Sequence, residues 1–119
     1  MRAALLSRRC QPVLPAATPD DVGRMLALLP DWTVQDGKLV RAFSFRDYYE
    51  TLAFVNAMAW ISHCEDHHPE LTVTYNSCVV RYDTHSVNDG RGGLSDNDFI
   101  CAAKVDALYE QRAAGTAGA

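Results

Sequence analysis

The chain has 119 residues, 48% of them hydrophobic, enough for one compact core and too few for two domains of ordinary size. A formal net charge of -4 leaves no global electrostatic footprint for nucleic-acid phosphates. The longest nearly apolar run, Leu52 to Ile61, is interrupted by Asn56 and covers about half of the roughly 20 residues that cross a bilayer, so no membrane span is expected.

Residues 1–17 read as a flexible N-terminal arm. The head from Met1 to Arg9 is basic and serine-bearing, as an organellar presequence can be, but the prolines at 12, 15 and 19 argue against one long amphipathic helix. The folded unit is expected over residues 18–112. Thr18-Pro19-Asp20-Asp21 combines a capping residue, a proline suited to the first helical position and an acid three residues after the cap, which predicts a short helix to about Leu29. Residues 32–35 and 39–45 read as strands joined by the two-residue turn Asp36-Gly37. Ser44-Phe45-Arg46-Asp47 resembles a second capping box, and Tyr48, Leu52, Val55 and Ala59 follow at helical spacing as the expected buried face of a long helix. That helix must end near His63 to Asp66, because a residue before proline is pushed out of helical geometry.

Leu71, Val73 and Tyr75 alternate with threonines, and the alternation resumes at Cys78, Val80 and Tyr82, predicting a second hairpin. Continued to position 85, that strand would carry His85 on its polar face beside Arg81 and Asp83. Asp89 to Gly93 reads as a flexible loop. Ser95-Asp96-Asn97-Asp98 then caps a final helix to about Arg112, with Phe99, Ile100, Ala103 and Ala107 as its buried stripe, and residues 113–119 form an expected disordered tail. The order (α)ββαββα predicts an α+β fold, a four-stranded antiparallel sheet with helices packed on one face.

All four histidines, His63, His67, His68 and His85, lie in one 23-residue window. Imidazole both donates and accepts protons near neutral pH, so such clustering points to acid-base chemistry. The step His67-His68-Pro69 follows a helix end, where successive side chains diverge and can address different parts of one ligand. His63 and His67, four apart with Cys64 and Asp66 nearby, are an adequate ligand inventory for zinc. However, Glu65 stands one position away from the HExxH arrangement. The four cysteines form no CxxC pair and fit reduced thiols; Cys78 and Cys101 fall on apolar faces, and nothing marks an oxyanion hole beside Cys64.

His63, then His67-His68-Pro69, then Tyr75, then His85, then Asp98 within Gly93 to Phe99, closely resembles the signature of pterin-4a-carbinolamine dehydratases. Leu29-Pro30-Asp31-Trp32, Phe43-Ser44-Phe45 and Pro69-Glu70 also look like that family, so the resemblance spans about residues 18 to 112. It implies a hydro-lyase that removes water from a 4a-hydroxytetrahydropterin, giving the quinonoid dihydropterin in tetrahydrobiopterin recycling, with no metal or organic cofactor. By this resemblance His67 and His85 are the acid-base pair, and His68 positions the pterin and shares the base role. His63, Asp66, Pro69, Asp83, Thr84, Ser86 and Asp98 are the implied substrate contacts, although a capping-box role explains Asp98 equally well.

Two departures stand out. Many members carry glutamate where His63 stands, a position that supports a neighbouring histidine, and here Asp66 is the substitute support. The loop from Ser86 to Gly93 is also a few residues longer than in the animal relatives. The resemblance further implies a homodimer or homotetramer with a small pterin substrate, while the reduced thiols point to the cytoplasm, and net charge and segment length leave no nucleic-acid or membrane partner expected. It also carries a second reading, because relatives with this fold serve as dimerisation cofactors for a transcription factor or as assembly chaperones for the carbon-fixing carboxylase.

Overall fold

Asp36 (φ 52°) and Gly37 (φ 75°) both sit at positive φ, which a two-residue type I′ hairpin turn requires. They join β1 (Thr33–Gln35) to β2 (Lys38–Ser44), with Thr33 opposite Val40. The computed structural model describes residues 2–118, and side chains as far as residue 111. The second hairpin pairs β3 (Glu70–Val73) with β4 (Ser77–Tyr82), and β4 also pairs antiparallel with β2. The result is a four-stranded antiparallel sheet in the order β1-β2-β4-β3, with helices on one face, as the sequence predicts.

Three longer helices pack on the sheet: α2 (Pro19–Ala27), α3 (Tyr48–Glu65) and α4 (Asp96–Gly118), preceded by the single-turn α1 (Arg2–Leu6). The Thr18 hydroxyl accepts from the Asp21 amide and the Asp21 carboxylate accepts in return from the Thr18 amide, so the predicted capping box is present. At α3 the cap is Asp47, which accepts from the Glu50 amide at 2.9 Å, and not Ser44, which remains in β2. The difference arises because the β2–β4 ladder extends to the Ser44–Ser77 pair.

The core gathers Trp32, Phe43, Phe54, Tyr82 and Phe99, with Trp32 edge-on to Phe43 at a centroid distance of 6.0 Å. Truncating any one of these rings to alanine costs about 3–5 kcal/mol. The buried face of α3 is Thr51, Phe54, Met58, Ser62 and Glu65, whereas Leu52 and Val55 are half-buried and Tyr48 and Ala59 are exposed. The predicted stripe is therefore rotated from the real one. Thr51 and Glu65 can take the inner face because they are bonded there: the Thr51 hydroxyl lies 2.8 Å from the Asp47 carbonyl and 3.1 Å from that of Tyr75, and Glu65 accepts from the Cys10 amide and Lys104. On α4, Phe99, Ile100 and Ala103 are buried as expected and Ala107 is half-buried. Asp106 is buried beside them and accepts from the Trp32 indole N–H and from Arg41, at 2.8 and 2.6 Å.

The N-terminal segment departs from the expectation of a flexible arm. Leu5 is buried in the core, Arg2 pairs with Glu110 at 2.6 Å, Arg8 pairs with Asp96 at 2.8 Å, and Ala17 donates to the Leu94 carbonyl. Residues 88–93 are likewise an ordered turn. Asn88 donates its side-chain amide to the Gly92 carbonyl, and Thr84 and Gly93 exchange two backbone hydrogen bonds. At the other end the backbone stays helical to Gly118; the side chains of the expected tail, residues 113–119, lie outside the described residues. Among the described residues no helix is long and apolar enough to cross a membrane.

Candidate active site

Helix α3 ends at Asp66, which adopts the left-handed conformation (φ 50°, ψ 45°) that short polar side chains tolerate. The amides of Asp66 and His67 both turn back to the Ser62 carbonyl, so the chain leaves the helix abruptly and Pro69 directs it into β3. This reversal presents His67 and His68 beside the end of β4. That strand stops at Tyr82, so His85 sits in the following turn and not on a continuing strand face, held in place by the Thr84–Gly93 bridge.

One cleft of about 370 Å³ is lined by His67, His68 and His85 together. Asp66, Asp83, Thr84 and Ser86 complete the side anticipated from sequence, and Gln11, Pro12 and Asn97 supply another side that sequence reasoning missed. The volume is in the range of small-molecule sites. His63 and Pro69 do not line this cleft. They border a second, more apolar groove of about 340 Å³ with Val55, Met58 and Leu71, which meets the first only at His68. His63 lies instead against Trp60, with ring centroids 5.6 Å apart. Among the described residues neither His63 nor Asp66 hydrogen-bonds another histidine, so the anticipated support does not come from them.

That support comes from Asp98. Its carboxylate is fully buried behind the cleft, so it touches no ligand directly. One oxygen lies 2.6 Å from His67 Nε2, and the other accepts from the Thr84 hydroxyl and the Ser95 amide, each at 2.9 Å. The Ser95 hydroxyl is 2.7 Å from Thr84 Oγ1 and accepts from the Asn97 amide. Asp98 thus caps α4, as the sequence suggests, and anchors His67 from behind instead of making the substrate contact that the resemblance implies. A carboxylate only accepts, so the proton on this bond belongs to His67 Nε2, which leaves Nδ1 as the one ring nitrogen free for a ligand. Tyr82 stacks on the same imidazole, centroids 5.7 Å apart and planes within 8°, which fixes its tilt.

His85 is its opposite in environment. Its side chain is 89% exposed at the rim of the cleft, and Nε2 lies 3.3 Å from Asp83 Oδ1. His68 is also exposed, and it stands between the two grooves. The site therefore joins one buried-carboxylate-backed imidazole to two solvent-exposed imidazoles at the mouth. Among the described residues no group of three His, Cys, Asp or Glu is placed to hold a metal ion.

A histidine-lined cleft on an antiparallel sheet covered by helices defines the class, and residues 15–108 match the family model described as Pterin 4 alpha carbinolamine dehydratase; the chain belongs to that family. A candidate pterin-4-alpha-carbinolamine dehydratase of Bdellovibrio bacteriovorus is 55% identical over 104 residues, covering 87% of each chain. One from Nitrosospira multiformis is 46% identical over 109 residues, covering 89% of this chain and 93% of that one. Among solved structures, the transcriptional coactivator/pterin dehydratase from Brucella melitensis superposes with a TM-score of 0.71 at 29% identity, covering 79% of this chain and 98% of that one. A pterin dehydratase-like RuBisCO assembly factor of the alpha-carboxysome superposes with a TM-score of 0.53 at 25% identity, covering 66% of this chain and 86% of that one.

Proposed function

We propose that this protein dehydrates a 4a-hydroxytetrahydropterin by histidine acid-base catalysis, without a metal. The observation that carries this reading is the convergence of His67, His68 and His85 on one cleft, with His67 locked onto a buried carboxylate. The reaction breaks the C4a–O bond, and hydroxide is a poor leaving group unless it is protonated. The N5–H bond pair becomes the C4a=N5 double bond, and its proton must be taken up. An acid and a base must therefore flank one flat ring.

In this reading His67 is the base, accepting the N5 proton at Nδ1 while Asp98 stabilises the imidazolium that forms. His85, at the rim beside Asp83, delivers a proton to the departing hydroxyl, and the resulting water leaves directly into solvent. His68 faces the pterin between them and orients it. Asp66, Asp83, Thr84 and Ser86 supply polar contacts around the ring, and each properly placed acid or base contributes on the order of 10² to 10⁴ in rate. His63 and Pro69 act only through the neighbouring groove. In this account the product is the quinonoid dihydropterin, which places the protein in tetrahydrobiopterin recycling in the cytoplasm.

Chelator-treated protein mixed with a 4a-hydroxytetrahydropterin tests the reading. Accelerated appearance of quinonoid absorbance supports it, and a rate equal to the buffer control sinks it. A homodimer or homotetramer belongs to the same proposal, since β1 and β3 are sheet edges and Tyr49 and Trp60 on α3 are exposed. Light scattering after size exclusion reads the mass directly. The second reading, a protein-binding cofactor, draws on the coactivator and assembly-factor neighbours. A stoichiometric protein partner recovered from a protein without pterin turnover would favour it.

A further inference from the structure

The family match begins at residue 15, yet the histidine cleft is closed on one side by Gln11 and Pro12. That wall is built rather than incidental. The Asn97 side chain accepts from the Gln11 amide at 3.0 Å and donates to the Gln11 carbonyl at 2.8 Å, copying one rung of an antiparallel ladder. Asn97 is only 6% exposed, so both bonds are shielded from water. One residue earlier the Cys10 amide donates to the buried Glu65 carboxylate at 2.8 Å, and Lys104 and Arg9 neutralise that carboxylate at 2.9 and 3.2 Å. With the Arg8–Asp96 pair, five backbone or charged contacts thus hold residues 8–11 against the end of α3 and the start of α4, the two elements that carry His67 and its anchor Asp98. So many ties on a segment with no secondary structure of its own exceed what an uninvolved arm requires.

We infer that residues 9–12 form a strap that completes the pterin site, with Asn97 as the clamp and Gln11 as a substrate-positioning residue in the segment that precedes the family match. The inference rests on the dehydratase reading above. The chemistry fits the substrate. The Gln11 carboxamide gives one N–H to the Arg9 carbonyl at 3.3 Å, which leaves its second N–H and its oxygen, side by side, to match the C4=O and N3–H edge of a pterin, and the Pro12 ring offers a rigid apolar boundary to a flat heterocycle. Neither residue can give or take the protons of the reaction, so the strap contributes binding and leaves the chemical step to the imidazoles.

Steady-state kinetics on a 4a-hydroxytetrahydropterin, for wild type, Gln11→Ala, Asn97→Ala and a chain lacking residues 2–12, separate the possibilities. Loss of one neutral hydrogen bond predicts a KM rise of roughly two- to tenfold for Gln11→Ala, with kcat within about twofold. Asn97→Ala, which frees Gln11 from both of its backbone bonds, is expected to raise KM at least as much, and its pH–rate profile should keep the wild-type shape because no histidine is altered. Asn97→Asp keeps the acceptor for the Gln11 amide and is expected to fall between wild type and Asn97→Ala. Gln11 sits at the surface, so its variant folds even if the truncation does not. An unmoved KM in Gln11→Ala and Asn97→Ala, with wild-type turnover intact, overturns the strap alone, as does a loss confined to kcat. A wild type that neither binds nor dehydrates the pterin overturns the dehydratase reading and the strap with it.

Discussion

Replacing Asp98 with asparagine probes the link between the buried network and the chemistry while hardly changing shape. In the native protein the carboxylate accepts from His67, Thr84 and Ser95 at 2.6, 2.9 and 2.9 Å. Asparagine retains one oxygen, which Ser95 and Thr84 already occupy on their side, so its NH₂ group is turned toward His67. A donor facing Nε2 forces the imidazole proton onto Nδ1, the nitrogen that must be free to act as base. The short, buried, charge-assisted bond is worth about 1.5–3 kcal/mol, which predicts a fall in kcat of about ten- to 150-fold, with the inverted tautomer deepening it. KM should change little, because Asp98 never reaches the ligand. Stopped-flow turnover gives kcat and KM, and long-range ¹⁵N–¹H spectra of the imidazoles identify the tautomer. A His67 tautomer that inverts with kcat within twofold of wild type would refute the assignment of Nδ1 as the reacting atom.

Other consequences are independent of the pterin. Asp106→Ala leaves Arg41 without its 2.6 Å partner and the Trp32 N–H unsatisfied in the core, so urea denaturation should show a loss of about 3–5 kcal/mol; less than 1 kcal/mol would contradict this. Burial pushes the Glu65 carboxyl up, but the Cys10 amide, Lys104 and Arg9 outweigh it, and the group sits below its ordinary 4.5. Its stabilisation of the docked arm is therefore complete above about pH 4.5 and is lost as the pH falls through the lower folded value. Hydrogen exchange at the Cys10 and Gln11 amides should accelerate selectively there, and Glu65→Gln should flatten that dependence. Gly92→Ala, at φ +87°, is expected to destabilise by about 1–2 kcal/mol, whereas Gly23→Ala inside α2, with open space around the new methyl, is expected to stabilise by about 0.5–1 kcal/mol. Thermal melts that reverse this order would contradict the backbone assignment.

Local chemistry was legible wherever neighbours in sequence settle it. The Thr18 capping box, the Asp36-Gly37 turn and the break after Asp66 imposed ahead of Pro69 each depend on four or five adjacent residues, and each appears as read. The buried face of α3 was not legible, because that helix is apolar nearly all round and Tyr48, Leu52, Val55 and Ala59 form as good a stripe as the real one. Tertiary hydrogen bonds decide it, by admitting Thr51 and Glu65 to the inner side. The arm was missed for a similar reason. Its clamp joins Gln11 to Asn97 and Cys10 to Glu65, pairs separated by 86 and 55 positions, and no periodicity records such contacts. The histidine cluster could be read as chemistry, but its support could not: His63 and Asp66 stand nearer in sequence, and only the 2.6 Å contact to His67 singles out Asp98, 31 positions further on.

The central claim is that three imidazoles from two stretches of chain address one pterin ring. Titrating the protein with a 7,8-dihydropterin while following the four histidine ring resonances tests it most directly. The account predicts that His67, His68 and His85 shift together along one saturation curve while His63, held against Trp60, stays in place. A His85 resonance that remains fixed at saturation, or that follows a separate affinity from His67, would contradict it.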